Sequence, residues 1–104
     1  REDPQDPLAR GPPVKRPIAT IRVTSHFARQ YKRLPPEVQE MAETRERIFR
    51  ANAFDPRLRT HKLSGRLKDL WAFSVTRDVR VIFEFLDADE VLFHSIGRHQ
   101  VVYE

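Results

Sequence analysis

Three candidate strands, at about residues 68–76, 79–86 and 91–96, follow one another with only Arg77-Asp78 and the acidic turn Asp87-Ala88-Asp89-Glu90 between them. Such short connections turn the chain back antiparallel beside itself, because a parallel partner needs a crossover of about a dozen residues or more. This region is therefore expected to form an antiparallel meander. Trp71, Phe73 and Val75 alternate with Leu70, Ala72, Ser74 and Thr76, and Val81, Phe83 and Phe85 alternate with Arg80, Ile82 and Glu84. That period of two gives the sheet one apolar face, which needs a cover.

The cover is expected from the residues upstream. Ile18 to Thr24 is β-branched and alternating, as in a strand with one covered face. Ser25 is a candidate cap for a short helix in which Phe27, Tyr31 and Leu34 share one side. Pro35 and Pro36 end that helix and suit the first turn of the next, where a missing N–H costs nothing. The second helix is expected to run to about Asn52. Val38, Met41, Ala42, Ile48 and Phe49 form its inner face, and Glu37, Glu40, Glu43, Arg45, Arg47 and Arg50 its solvated one. The expected fold class is α+β, in the order β-α-α-β-β-β, with both helices on one face of a small, mostly antiparallel sheet. Ser74 and Arg80 would then lie on the open side.

Residues 1–17 hold five of the eight prolines and few apolar residues. They read as a flexible tail, either native or a fusion remnant, since no initiator Met or hydrophobic signal core precedes them. Residues 18–104 are expected to be a single domain, and no internal repeat is visible. No apolar run approaches the roughly 20 residues that cross a bilayer, so a cytoplasmic protein without membrane partners is expected. The absence of cysteine excludes disulfides, thiolate metal sites and Cys nucleophiles.

The charge is concentrated. Between Arg57 and Arg80, seven Lys/Arg stand against Asp69 and Asp78, a net +5, whereas the whole chain sums to +4. A polyanion or an acidic protein is the partner to expect. Arg57, Arg59, Lys62, Arg66 and Lys68 form a candidate phosphate track, extended by Arg77 and Arg98; the plain alternative is a solvated loop. His61, Asp78, Arg80, His99 and Tyr103 come from strand ends, a turn and the C-terminal residues, and a meander can gather them on one concave face.

Those residue types suit phosphodiester cleavage. A base must take the 2′-hydroxyl proton, a cation must meet the charge growing on phosphorus, and an acid must protonate the departing 5′-oxygen. Histidine serves as acid or base near neutral pH, and the planar fork of arginine binds two phosphate oxygens at once. Each residue also has a structural reading. Arg80 can pair with Glu84 two places along, Asp78 can bond its own turn, Tyr103 can fill the core, and His26 and His94 read as structural. Trp71 and Phe73 read as core. A metal site from His61, His94 and His99 lacks any HExxH or CxxC spacing, so neither metal nor other cofactor is expected.

The chain resembles the RelE/ParE family of bacterial type II toxins, most nearly its YafQ-like mRNA interferase branch. The resemblance runs from about Ile18 to Tyr103. It is carried by Phe54-Asp-Pro-Arg-Leu-Arg-Thr-His-Lys-Leu-Ser-Gly-Arg-Leu-Lys-Asp-Leu-Trp-Ala-Phe-Ser-Val, Arg80-Val-Ile-Phe-Glu-Phe, Ile96-Gly-Arg-His and the closing Val-Tyr. It implies a small sheet packed on two helices, cleavage of mRNA in the ribosomal A site without metal through the 2′-hydroxyl, and neutralisation by an acidic antitoxin. By motif, His99 is implied as general acid, His61 or Asp78 as base or orienting partner, Arg80 on the scissile phosphate, and Tyr103 positioning a base or the phosphate. Ser74 stands where some YafQ-like enzymes have a second strand histidine, and Ser95 where they have an arginine.

Two other functions fit the same fold. One is a non-enzymatic, ParE-like poison of DNA gyrase; the other is a decayed toxin that only binds antitoxin. The His61/Arg80/His99 set favours the nuclease, because a pure binding protein has no need of two histidines flanking an arginine. Exposed strand edges and an apolar helix face leave homodimerisation open.

Overall fold

The computed structural model describes residues 15–67 and 69–98. Its elements are β1 (Thr20–Val23), α1 (Ser25–Lys32), α2 (Pro36–Ala51), β2 (His61–Lys62), β3 (Trp71–Ser74), β4 (Val79–Asp87) and β5 (Glu90–Arg98), with short 3-10 turns at Pro56–Leu58 and Gly65–Leu67. The strands form one sheet in the order β1-β5-β4-β3-β2. β1 runs parallel to β5, and every other pairing is antiparallel. The α+β architecture is the one read from the sequence, with one strand more, the two-residue β2.

Local chemistry explains where elements begin and end. Thr24, not Ser25, caps α1: its hydroxyl oxygen accepts from the Phe27 N–H at 2.9 Å and its O–H donates to the His94 carbonyl at 2.8 Å. Held extended beside β5, Thr24 meets the cap geometry, while Ser25 is already helical. β3 is shorter than expected at both ends. Leu63 donates to the Leu70 carbonyl and Leu70 to Leu67, which commits Leu70 to a loop. At the other end the N–H groups of Val75 and Thr76 both go to the Val79 carbonyl, at 2.8 and 3.2 Å, so the β3–β4 turn starts before Arg77. In the preceding loop Gly65 sits at φ +69°, left-handed backbone that glycine adopts without the Cβ penalty.

The helices cover the apolar face as expected. Phe49 of α2 is fully buried, with ring centroids 4.9 Å from Phe73, 5.0 Å from Phe83 and 5.5 Å from Phe93. Leu58, set among the arginines of the basic stretch, is also fully buried and joins this core. The opposite face is not open throughout. Ala72 and Ile82 alternate with core positions, yet are 0% and 2% exposed.

Arg16, within the stretch read as a tail, is docked. Its guanidinium lies 3.8 Å from the Phe85 ring centroid and donates to the Ala88 and Asp87 carbonyls at 3.0 and 3.3 Å. Its backbone binds Asn52 and Ala53 at the end of α2. Among the described residues, no helix is long and apolar enough to cross a membrane.

Candidate functional site

A groove of about 300 Å³ opens where β3 ends. Its walls are Arg57 and Arg59 from the segment after α2, Ser74 at the end of β3, Val75, Thr76 and Arg77 of the turn, Arg80 of β4, and Arg45 of α2. Five guanidiniums thus come from four parts of the chain, and the fold brings them together. The turn is braced by Thr76, whose hydroxyl oxygen accepts from the N–H groups of Asp78 and Val79 at 3.2 and 3.0 Å. That is the turn-closing role the sequence had offered to Asp78. The pairing Ser74↔Arg80 sets these two side chains side by side on one face, and Gly97 opposite Arg80 adds no side chain there.

Two of the five arginines are held by backbone oxygens. Arg45 donates through Nε to the Val75 carbonyl at 3.3 Å, and Arg80 through Nη1 to the Arg77 carbonyl at 3.0 Å. Neither bond cancels charge. Arg80 is not paired with Glu84, because Glu84 instead holds His94 at 3.0 Å. Among the described residues, Arg57 is the groove arginine with a carboxylate partner. Asp55 takes its Nε and Nη2 at 3.0 and 2.9 Å and its backbone N–H at 2.9 Å. These hydrogen bonds, the side-chain ones first, pull the Asp55 carboxyl down to about 2, and the Arg57 guanidinium is raised in turn. Arg59 occupies left-handed backbone at φ 54°, a conformation that costs a residue with a Cβ about 1–2 kcal/mol.

His61 lies on the same face as Ser74 and Arg80, because it pairs with Ala72 two residues along β3. Its Nδ1 is 3.0 Å from the Arg59 carbonyl. A carbonyl can only accept, so in the neutral ring Nδ1 carries the hydrogen and Nε2 keeps a lone pair. Strand spacing puts the Cα atoms of His61 and Arg80 roughly 12 Å apart, across β3. They therefore share one surface without touching.

The other sequence candidates are dispersed. Lys62 pairs with Trp71 and so falls on the opposite face from His61. Arg98 is likewise opposite Val79 rather than beside Arg80. Arg66 and Asp78 are exposed and lie outside the groove lining. Lys68, His99 and Tyr103 lie outside the described residues. Sequence reasoning missed Arg45, which it had assigned to the solvated face of α2, and Thr76 as a groove residue; Ser74 it had placed beside Arg80 on the open side, without a role.

Arginine does not exchange protons near neutral pH. The groove can therefore bind a phosphodiester and stabilise added charge on phosphorus, while proton transfer must come from groups outside its lining, such as the His61 imidazole on the same face of the sheet.

Residues 19–104 match the family described as the bacterial toxin of the type II toxin-antitoxin system, YafQ. Among curated proteins, none matches the chain significantly. Solved structures share the fold at low identity. YafQ from E. coli strain BL21(DE3) aligns at 16% identity over 81% of this chain and 97% of its own, with a TM-score of 0.65. The YoeB/ParE toxin from Agrobacterium tumefaciens aligns at 14% over 78% and 99%, with a TM-score of 0.67. The RelBE2 toxin-antitoxin complex from Mycobacterium tuberculosis contributes a chain at 18% over 82% and 95%, with a TM-score of 0.64. With its family match covering nearly the whole described fold, the chain belongs to the YafQ family of bacterial type II toxins.

Proposed function

We propose that this toxin is a ribosome-dependent endoribonuclease, cutting mRNA by attack of the RNA's own 2′-hydroxyl without a metal ion. The observation that carries this reading is the groove: of five guanidiniums converging on one end of the sheet, only Arg57 is paired with a carboxylate among the described residues. Arginines without a carboxylate in ion-pair contact, two of them steadied by carbonyls, suit a polyanion, and their forks match the oxygens of a phosphodiester. Arg80 takes the scissile phosphate and meets the charge that grows there. His61, with Nε2 unprotonated in its neutral form, takes the 2′-hydroxyl proton or orients the group that does, with Asp78 as the alternative base. His99 returns a proton to the departing 5′-oxygen, and Tyr103 positions a base or the phosphate.

The toxin works in the cytoplasm. Its partner is an acidic antitoxin that covers the basic groove, as expected for a family of toxin-antitoxin systems; RelBE2 from M. tuberculosis and DinJ-YafQ from E. coli are solved as such complexes. Cleavage of a defined mRNA on programmed ribosomes tests the reading. Wild type should cut with EDTA present, and Arg80→Ala and His99→Ala should lose at least about a hundredfold in rate. Intact mRNA in the presence of folded wild type would sink the nuclease and bring gyrase inhibition forward.

A further inference from the structure

We propose that Arg45 is a phosphate-binding residue of this groove, supplied by α2, which holds the RNA backbone on the helix side of the β3–β4 turn. The inference rests on the nuclease reading above and adds to it a residue from an element that the basic stretch of sequence does not include.

Val38, Ala42, Arg45 and Phe49 are spaced four, three and four residues apart, and at about 100° per residue they fall within roughly 60° of one another. Val38, Ala42 and Phe49 pack into the core. Arg45 therefore stands at the edge of the helix's inward stripe, where an apolar residue would pack at no desolvation cost. It is half-buried, and its charged end emerges in the groove.

The one hydrogen bond of Arg45 among the described residues, from Nε to the Val75 carbonyl, is a job that any neutral donor or a water can do at this open turn. A guanidinium presents five N–H donors in a plane, and fixing Nε aims the rest. No carboxylate lies within ion-pair distance of it among the described residues. A charge placed at the edge of the inner stripe, anchored by a carbonyl and felt at a distance by Asp55, whose oxygens Arg57 already holds, is costly for the fold and useful to an anion.

The test separates the two roles by sign. Binding of a short 2′-O-methyl RNA, which the toxin cannot cut through a 2′-hydroxyl, is measured across a salt series for wild type, Arg45→Met, Arg45→Gln, Arg80→Gln and Arg47→Gln, together with thermal melting. Arg45→Met should melt no lower than wild type, because it fills the apolar stripe. It should bind roughly tenfold more weakly, with the slope of log affinity against log salt shallower by about 0.7, the share of one single-strand phosphate contact. Arg45→Gln, which keeps a donor for Val75, should lose the same slope and decides the matter if the methionine variant does not fold. Arg47→Gln, on the outer face, should keep the wild-type slope. A lower melting temperature at Arg45 with an unchanged slope, while Arg80→Gln shows the shallower one, would make Arg45 a structural strut and leave the groove reading standing. An unchanged slope in Arg80→Gln as well would overturn both.

Discussion

Asp55 grips Arg57 through both carboxylate oxygens, at 3.0 and 2.9 Å, and so withdraws one of the groove's five positive charges. The same carboxylate caps the Pro56–Leu58 turn by accepting the Arg57 N–H. Asparagine retains that cap, since Asn and Asp are comparable in the role. Asp55→Asn is therefore expected to bind RNA more tightly and with a salt slope steeper by up to about 0.7. The carboxyl is lowered from 3.8 to about 2 in the folded protein, so its contribution to stability is full above the unfolded value and is lost as pH falls through about 2. Across the neutral range Asp55 stays charged, and the gain in Asp55→Asn should not vary with pH. Anisotropy titrations at two pH values check this; equal or weaker binding by the variant would contradict it.

Arg59 stands at φ 54°, strain that a groove residue can carry where its side chain is needed. Arg59→Gly and Arg59→Ala both remove the guanidinium and should weaken RNA binding alike. They should differ in stability. Glycine enters left-handed backbone freely, whereas alanine keeps a penalty of about 1–2 kcal/mol there, partly offset by the glycine's greater freedom when unfolded. Paired thermal melts should rank Gly above Ala, and the reverse order would show that Arg59 is not held in this conformation.

Phe49 packs against Phe73, Phe83 and Phe93 and is fully buried. Phe49→Ala should cost about 3–5 kcal/mol, at roughly 4–8 °C of melting temperature per kcal/mol for a domain near this size. Because α2 also carries Arg45, the loss should reach the groove: RNA binding should fail with the fold in the same denaturant titration. Binding that outlasts the loss of tertiary structure would mean that the basic stretch acts as an unfolded polycation.

Much of this architecture is legible in the chain. Short connections commit residues 71 to 98 to a meander, and the spacing of Phe27, Ala42 and Phe49 brings the helices onto its apolar face. The concentration of charge from Arg57 to Arg80 marks the groove's side of the molecule. What escaped depends on tertiary neighbours. β2 is two residues long, too short to show a period, and exists because β3 offers it an edge. Arg45 looks like one more solvated charge until its four-three-four spacing with Val38, Ala42 and Phe49 is noticed. Leu58 is buried amid arginines, which local hydrophilicity hides. Lys62 and His61 are adjacent in sequence but on opposite faces of the sheet, a distinction that waits on the register of β2 against β3.

The role proposed for the groove is to position an RNA for attack by its own 2′-hydroxyl. The most direct test is a set of mRNAs on programmed ribosomes, each with a single 2′-deoxynucleotide at one position of the A-site codon. Cleavage should vanish for the message lacking the 2′-hydroxyl next to the scissile phosphate, persist for its neighbours, and leave a 2′,3′-cyclic phosphate on the all-ribose product. Equal cutting of every message would contradict that role, because the nucleophile would then come from elsewhere.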